Sequence, residues 1–137
     1  MKAVDFIVEL EDRILFIEVK DPTQAAEVSE KERERFFNEL RSGQLDRDLA
    51  YKYRDSFLYE WAADRHTKAI YYLVLVAFDR LTPADLLART DALKRSLPRS
   101  APKVSGWKRP IVDGCLVLNL AAWNDELQDY PAHRVAE

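Results

Sequence analysis

The first apolar signal in the chain has a period of two. Val4, Phe6, Val8 and Leu10 alternate with Ala3, Asp5, Ile7 and Glu9, and after Glu11-Asp12-Arg13 the run from Ile14 to Val19 is β-branched and aromatic. Such alternation marks half-buried strands, and the two runs are predicted to form a hairpin over residues 3–10 and 14–20. The connection lacks Asn-Gly or Asp-Gly, so its length stays open. Asp21-Pro22-Thr23-Gln24 reads as a helix start, with Asp21 as N-cap, Pro22 at the first position and Gln24 closing a capping box. That charged helix runs to Arg41 and is ended by Gly43. A second helix is predicted from Leu45 to Asp64. Leu45, Leu49, Tyr53, Phe57 and Trp61, with Leu58 beside them, form its apolar stripe. Lys68 to Phe78 has little alternation, as a strand buried on both faces should. Thr82-Pro83-Ala84-Asp85 opens a third helix, to about Ser96. Arg99 to Pro110 is a polar, basic loop, Ile111 to Leu120 a last strand, and Ala121 to Gln128 a short helix. The order β-β-α-α-β-α-β-α predicts an α/β fold, a mixed sheet with helices on both faces.

A length of 137 residues is one domain with room for a hydrophobic core. The count of only 3 glycines argues against a turn-rich all-β fold. The net charge of -3 gives no global reason to expect nucleic acid, so a nucleic-acid surface would need local basic clusters. Cys115 is the one cysteine and His66 and His133 the two histidines, which excludes a disulfide framework and a Cys/His zinc cluster. A reducing, cytoplasmic setting is expected. The apolar run Ala69 to Phe78 is too short to span a bilayer, and the first residues lack a signal peptide's apolar stretch, so no membrane partner is expected.

The chemistry gathers between Asp5 and Lys20. Strand side chains alternate, so Glu18 and Lys20 share a face with Ile14 and Phe16. The side taken by Asp5 depends on the hairpin register. An even-numbered loop, such as a turn of Glu11-Asp12 alone, sets Asp5 directly opposite Glu18, and an odd loop sends it to the other face. Two carboxylates opposed in this way repel, and a divalent cation removes that cost. Mg²⁺ favours one or two carboxylates completed by waters and phosphate oxygens. Lys20 can point at the same phosphate and stabilise developing negative charge or position the attacking water.

Asp5 followed by Glu18-Val19-Lys20 on the next strand of a hairpin resembles the D…E-X-K signature of the PD-(D/E)XK nuclease superfamily, with its restriction endonuclease-like fold. The resemblance implies a nuclease that hydrolyses phosphodiester bonds, with DNA as partner. It implies that Asp5, Glu18 and the Val19 backbone carbonyl bind Mg²⁺, for which Mn²⁺ can substitute, and that Lys20 assists catalysis. The family's following helix often adds a Gln or Lys near the phosphate, and Gln44, Asp48 and Lys52 are the candidates here, in that order. The later order of helix, strand, helix and strand also fits. One feature departs from the family: only four residues precede Asp5, where its members usually carry a helix and a further strand. The second reading is therefore a catalytically silent nuclease-like module acting in assembly or regulation, and the third an unrelated small α/β binding domain.

Other features have plainer readings. Lys103, Lys108 and Arg109 around Trp107 could contact phosphates and stack on a base, though a solvated loop explains them too. Arg47, Lys52 and Arg54 could form a basic helix face, but Asp46, Asp48 and Asp55 are interleaved, a pattern of intrahelical pairs. Glu30 to Arg35 reads as a solvated helix face, Cys115 as a buried small hydrophobe and His66 as a helix-end cation. The strand from Ala3 to Leu10 has little to protect its outer edge, which predicts a homodimer on or near it.

Overall fold

The computed structural model describes residues 2–22, 29–65, 68–78, 80–97 and 110–135. The elements are β1 (Phe6–Glu9), β2 (Arg13–Lys20), α1 (Glu30–Ser42), α2 (Gln44–Ala62), β3 (Ala69–Val76), α3 (Pro83–Ser96), β4 (Gly114–Leu118) and α4 (Leu120–Glu126). They build one mixed sheet of four strands in the order β1-β2-β3-β4. The first pair is antiparallel and the other two are parallel. The chain is thus α/β, as the element order predicts.

The hairpin closes with a two-residue loop. Leu10 N–H donates to the Arg13 carbonyl at 2.8 Å across Glu11-Asp12, and Phe6 faces Ile17. This is the even register, and it carries Asp5 to the position opposite Glu18. β1 is shorter than its alternation suggested because the preceding backbone finds other acceptors. Lys2 N–H donates to Asp55 at 2.8 Å and Val4 N–H to Ser56 Oγ at 2.9 Å, tying this segment to α2.

Alternation splits the sheet residues between two apolar layers. Ile14, Phe16, Ile70, Tyr72, Val74, Val76, Cys115 and Val117 pack against residues of α1, α2 and α3. Leu15, Leu73, Leu75 and Leu118 pack against Trp123 of α4 on the other face. β3 has no strand residue open to water, as a central parallel strand covered on both faces requires. Among the described residues no helix is long and apolar enough to cross a membrane.

Local chemistry sets the helix ends. Gly43, at φ 85°, takes the left-handed conformation that ends α1 and lets α2 begin at the next residue. Thr82 caps α3 and exchanges hydrogen bonds with Asp85, each 3.1 Å long, in a reciprocal capping box. The start of α1 differs from expectation. Ser29 caps it by accepting from Glu32 N–H at 3.2 Å, while Asp21 faces Arg134; Thr23 and Gln24 lie outside the described residues.

The stripe of α2 is also corrected. A row taken every four residues drifts about 40° round an α-helix per step, so Trp61 lies about 160° from Leu45. The buried row instead follows Leu45, Leu49, Tyr53, Ser56 and Glu60, and Trp61 and Leu58 stand exposed. Ser56 and Glu60 tolerate this burial because Ser56 accepts from Val4 and Glu60 takes two hydrogen bonds from Arg65, 2.8 and 3.1 Å long.

Candidate active site at the open end of the hairpin

Glu18 sits on the core face of β2, beyond Phe16 and opposite Val74, and is 0% exposed. A lone buried carboxylate is costly, so its partners decide whether it can stay charged. Asp5 N–H donates to Glu18 Oε1 at 3.1 Å, while Val19 N–H donates to Asp5 Oδ2 at 2.8 Å. These two crossed bonds tie Asp5 to β2 where the strand ladder stops, and they bring both acids to the open end of the hairpin.

Two ammonium groups complete the cluster. Lys20 Nζ lies 3.5 Å from Glu18 Oε2, and Lys52 Nζ, reaching in from α2, donates to the same oxygen. Two carboxylates therefore face two cations at the rim of the core. Phe16, Tyr53 and Tyr72 form an aromatic floor on the same face, with Tyr53 5.3 Å from Phe16 and 5.1 Å from Tyr72 between ring centres. Tyr72 donates its hydroxyl to the Leu49 carbonyl at 3.0 Å, and Tyr53 donates to the Ile111 carbonyl. Both hydroxyls are anchored to backbone, which holds the floor rigid.

The two acids are driven apart electrostatically. Burial pushes the Glu18 carboxyl up; Lys52 pulls it down but does not overcome burial together with the neighbouring Asp5 charge. Burial also raises Asp5, but the Val19 N–H and the contact with Glu18, with Lys52 and Lys20 nearby, outweigh it and hold Asp5 below its ordinary value. Burial pulls Lys52 down, and the bond to Glu18 more than reverses this, so Lys52 stays an ammonium.

The structure brings Asp5, Glu18, the Val19 backbone and Lys20 together. It does not bring Gln44 to them. Gln44 lies two helical turns before Lys52, about 12 Å back and about 80° round the helix. Its amide is occupied locally, donating to Asp48 at 3.5 Å and accepting from Arg47 at 2.9 Å. Lys52, placed third among the helix candidates, is the residue that reaches Glu18. Its position on a helical wheel is the available signal, since Lys52 borders the buried row through Leu49 and Ser56 while Gln44 faces away from it.

Arg47, Lys52 and Arg54 do not form one basic face. Arg47 turns to Gln44, Lys52 to Glu18, and Arg54 donates to the Ser96 carbonyl at 2.6 Å. Most of the Glu30 to Arg35 run is exposed, as expected, and Cys115 is buried, as a small hydrophobe should be. Trp107, Lys103, Lys108, Arg109 and His66 lie outside the described residues.

Among the described residues no group of three or more His, Cys, Asp or Glu side chains is placed to hold a metal ion. Among the described residues, Asp5 and Glu18 are the pair of acids that meet at this end of the hairpin. No protein-family model, curated protein or solved structure matches the chain.

Proposed function

We propose that this chain is a Mg²⁺-dependent nuclease of the PD-(D/E)XK kind that hydrolyses phosphodiester bonds in DNA. The observation that carries the reading is the meeting of Asp5 and Glu18 across the hairpin with two ammonium groups on one Glu18 oxygen. The donor set suits Mg²⁺, which needs only one or two carboxylates and fills its shell with water and phosphate oxygens. Asp5 and Glu18 would hold the ion, with the Val19 carbonyl between them and Lys20 in the sequence as the backbone ligand. When bound, the ion would supply Lewis-acid charge and lower the pKa of a water at the site.

The chain's own groups have separate parts. Asp5, held ionised by the Val19 N–H and the nearby ammoniums, is an acceptor at neutral pH. Lys20, 29% exposed at its side chain, is free enough to leave Glu18 and donate to the non-bridging oxygens of the scissile phosphate. Lys52 keeps its proton and holds Glu18 Oε2 from the helix side, which fixes the buried carboxyl in place. The aromatic floor excludes water from behind Glu18, which strengthens each of these interactions.

One observation favours the alternative of a catalytically silent module: both Glu18 oxygens are already engaged by protein donors. A crystal soaked in Mn²⁺ separates the two. The nuclease reading expects anomalous density between Asp5 and Glu18. Its absence at millimolar Mn²⁺, with Lys52 still on Glu18, would leave the silent reading standing.

The reading extends to assembly and setting. Among the described residues β1 pairs only with β2 and exposes Phe6, Ile7 and Val8, an apolar edge that natural proteins pair or blunt. A second copy pairing antiparallel across a two-fold axis is self-complementary and covers it. A single cysteine, Cys115, buried in the core, suits a reducing, cytoplasmic compartment.

A further inference from the structure

The segment after α4 returns across the face of the sheet opposite the site. It is fixed by side-chain bonds rather than by secondary structure. Trp123 Nε1 donates to the Tyr130 carbonyl at 2.8 Å. The Asn124 side chain accepts from Ala132 N–H at 2.7 Å and donates to its carbonyl at 2.9 Å, the way a neighbouring strand would. Ala132 packs against the apolar layer under α4. Arg134 is thereby delivered to the end of β2.

There its guanidinium bridges the residues that directly follow β2 and β3. Nη1 donates to Asp21 Oδ2 at 2.5 Å and Nη2 to the Ala77 carbonyl at 2.8 Å. Ala77 N–H in turn donates to the Lys20 carbonyl at 2.8 Å. Asp21, Lys20, Ala77 and Arg134 thus close a ring immediately after the Glu18-Val19-Lys20 sequence. Lys20 is the last residue of β2, paired with Val76, and a strand end is held by fewer ladder bonds than its middle. Successive side chains point to opposite faces, so Asp21 can be gripped from the α4 side without obstructing the face that carries Lys20. The planar fork of arginine suits two fixed acceptors, which a single ammonium would not satisfy in the same geometry.

We propose that the C-terminal segment is a latch on the candidate catalytic strand: by bridging Asp21 and the Ala77 carbonyl, Arg134 fixes the end of β2 and so sets Lys20 beside Glu18. Arg134 is a positioning residue that touches neither substrate nor metal. Its effect on rate rests on the nuclease reading, and its effect on Lys20 does not.

The test uses the full chain with Arg134→Gln and the exchanged pair Asp21→Arg with Arg134→Asp. Lysine side-chain carbon resonances report Lys20 and Lys52 separately, and Mg²⁺-dependent cleavage reports kcat and KM. In Arg134→Gln the Lys20 resonance moves or broadens and that of Lys52 does not. The value of kcat falls about tenfold, as a displacement of a fraction of an ångström would cause, with KM and Mg²⁺ affinity unchanged. The exchanged pair recovers part of the loss. An unmoved Lys20 resonance in Arg134→Gln overturns the latch, and so does a moved resonance with unchanged kcat. If the wild-type chain cleaves nothing, the nuclease reading fails, and the Lys20 resonance alone decides whether the latch exists.

Discussion

Replacing Lys52 by Met isolates the electrostatics of the cluster. The substitution keeps the length and apolar stem of the side chain and removes the ammonium bonded to Glu18. Glu18 is 0% exposed, so it keeps a buried charge with one cation fewer. Breaking a buried pair costs about 3–5 kcal/mol. Lys20 remains 3.5 Å away, and Lys52 is itself 23% exposed at its side chain, so part of that cost is offset. We expect a loss of about 2–3 kcal/mol at pH 7, or roughly 6–9 °C in melting temperature for a domain of this size. The pH dependence has a definite sign. Burial has raised the Glu18 carboxyl above its ordinary 4.5, so the protonated form favours folding, and stability is lost as pH rises through the folded-state pKa. Without Lys52 that pKa rises further. The variant should therefore approach the wild type as pH falls from 8 towards 5. Asp5 does not confuse this window, because its carboxyl is held below its ordinary 3.8 and its contribution is lost only in stronger acid. Urea midpoints between pH 5 and 8 provide the measurement, and adding Glu18→Gln should recover at least half of the loss. A destabilisation that is absent, or flat across that range, would show that Lys52 does not neutralise a buried Glu18 carboxylate.

Other expectations follow from particular contacts. Thr82→Ala removes the cap of α3 and should cost about 1 kcal/mol, read as a lower denaturant midpoint with an unchanged slope. Mg²⁺ at millimolar concentration should raise the melting temperature of the wild type, and that of Lys52→Met by more, because no ammonium then competes for Glu18. Calorimetry with and without EDTA checks this, and an equal shift in Asp5→Ala would count against the site. Light scattering at tens of micromolar should give a dimer for the wild type and a monomer for Val8→Lys, which puts a charge on the exposed edge; a wild-type monomer would remove the dimer.

Signals carried by neighbouring residues were legible in the chain. The period of two in Val4–Leu10 and the β-branched and aromatic run Ile14–Val19 give the hairpin, and an even loop gives the Asp5–Glu18 pairing, because one residue of slip exchanges the faces. Gly43 and the Thr82-Pro83-Ala84-Asp85 cap are equally local. What the pattern missed depends on depth or distance. Reading α2 every four residues carried the stripe to Trp61, whereas a step of about 100° per residue carries it to Glu60 and sets Lys52 at its border. Gln44 could be discounted only once the rotation and height of α2 over β2 were known. The start of β1 depends on Asp55 and Ser56, more than fifty residues away. The Arg134–Asp21 contact spans 113 residues and carries no sequence pattern.

The central claim is that Asp5 and Glu18 support metal-dependent cleavage of phosphodiester bonds. The most direct measurement compares the purified chain with Asp5→Ala and Glu18→Ala on plasmid DNA in Mg²⁺, Mn²⁺ or EDTA, with circular dichroism confirming that each variant folds. The account predicts cleavage by the wild type with either metal, none in EDTA, and none by the folded variants. A wild type that leaves DNA intact in both metals, or a Glu18→Ala protein that cuts as fast as the wild type, would contradict it.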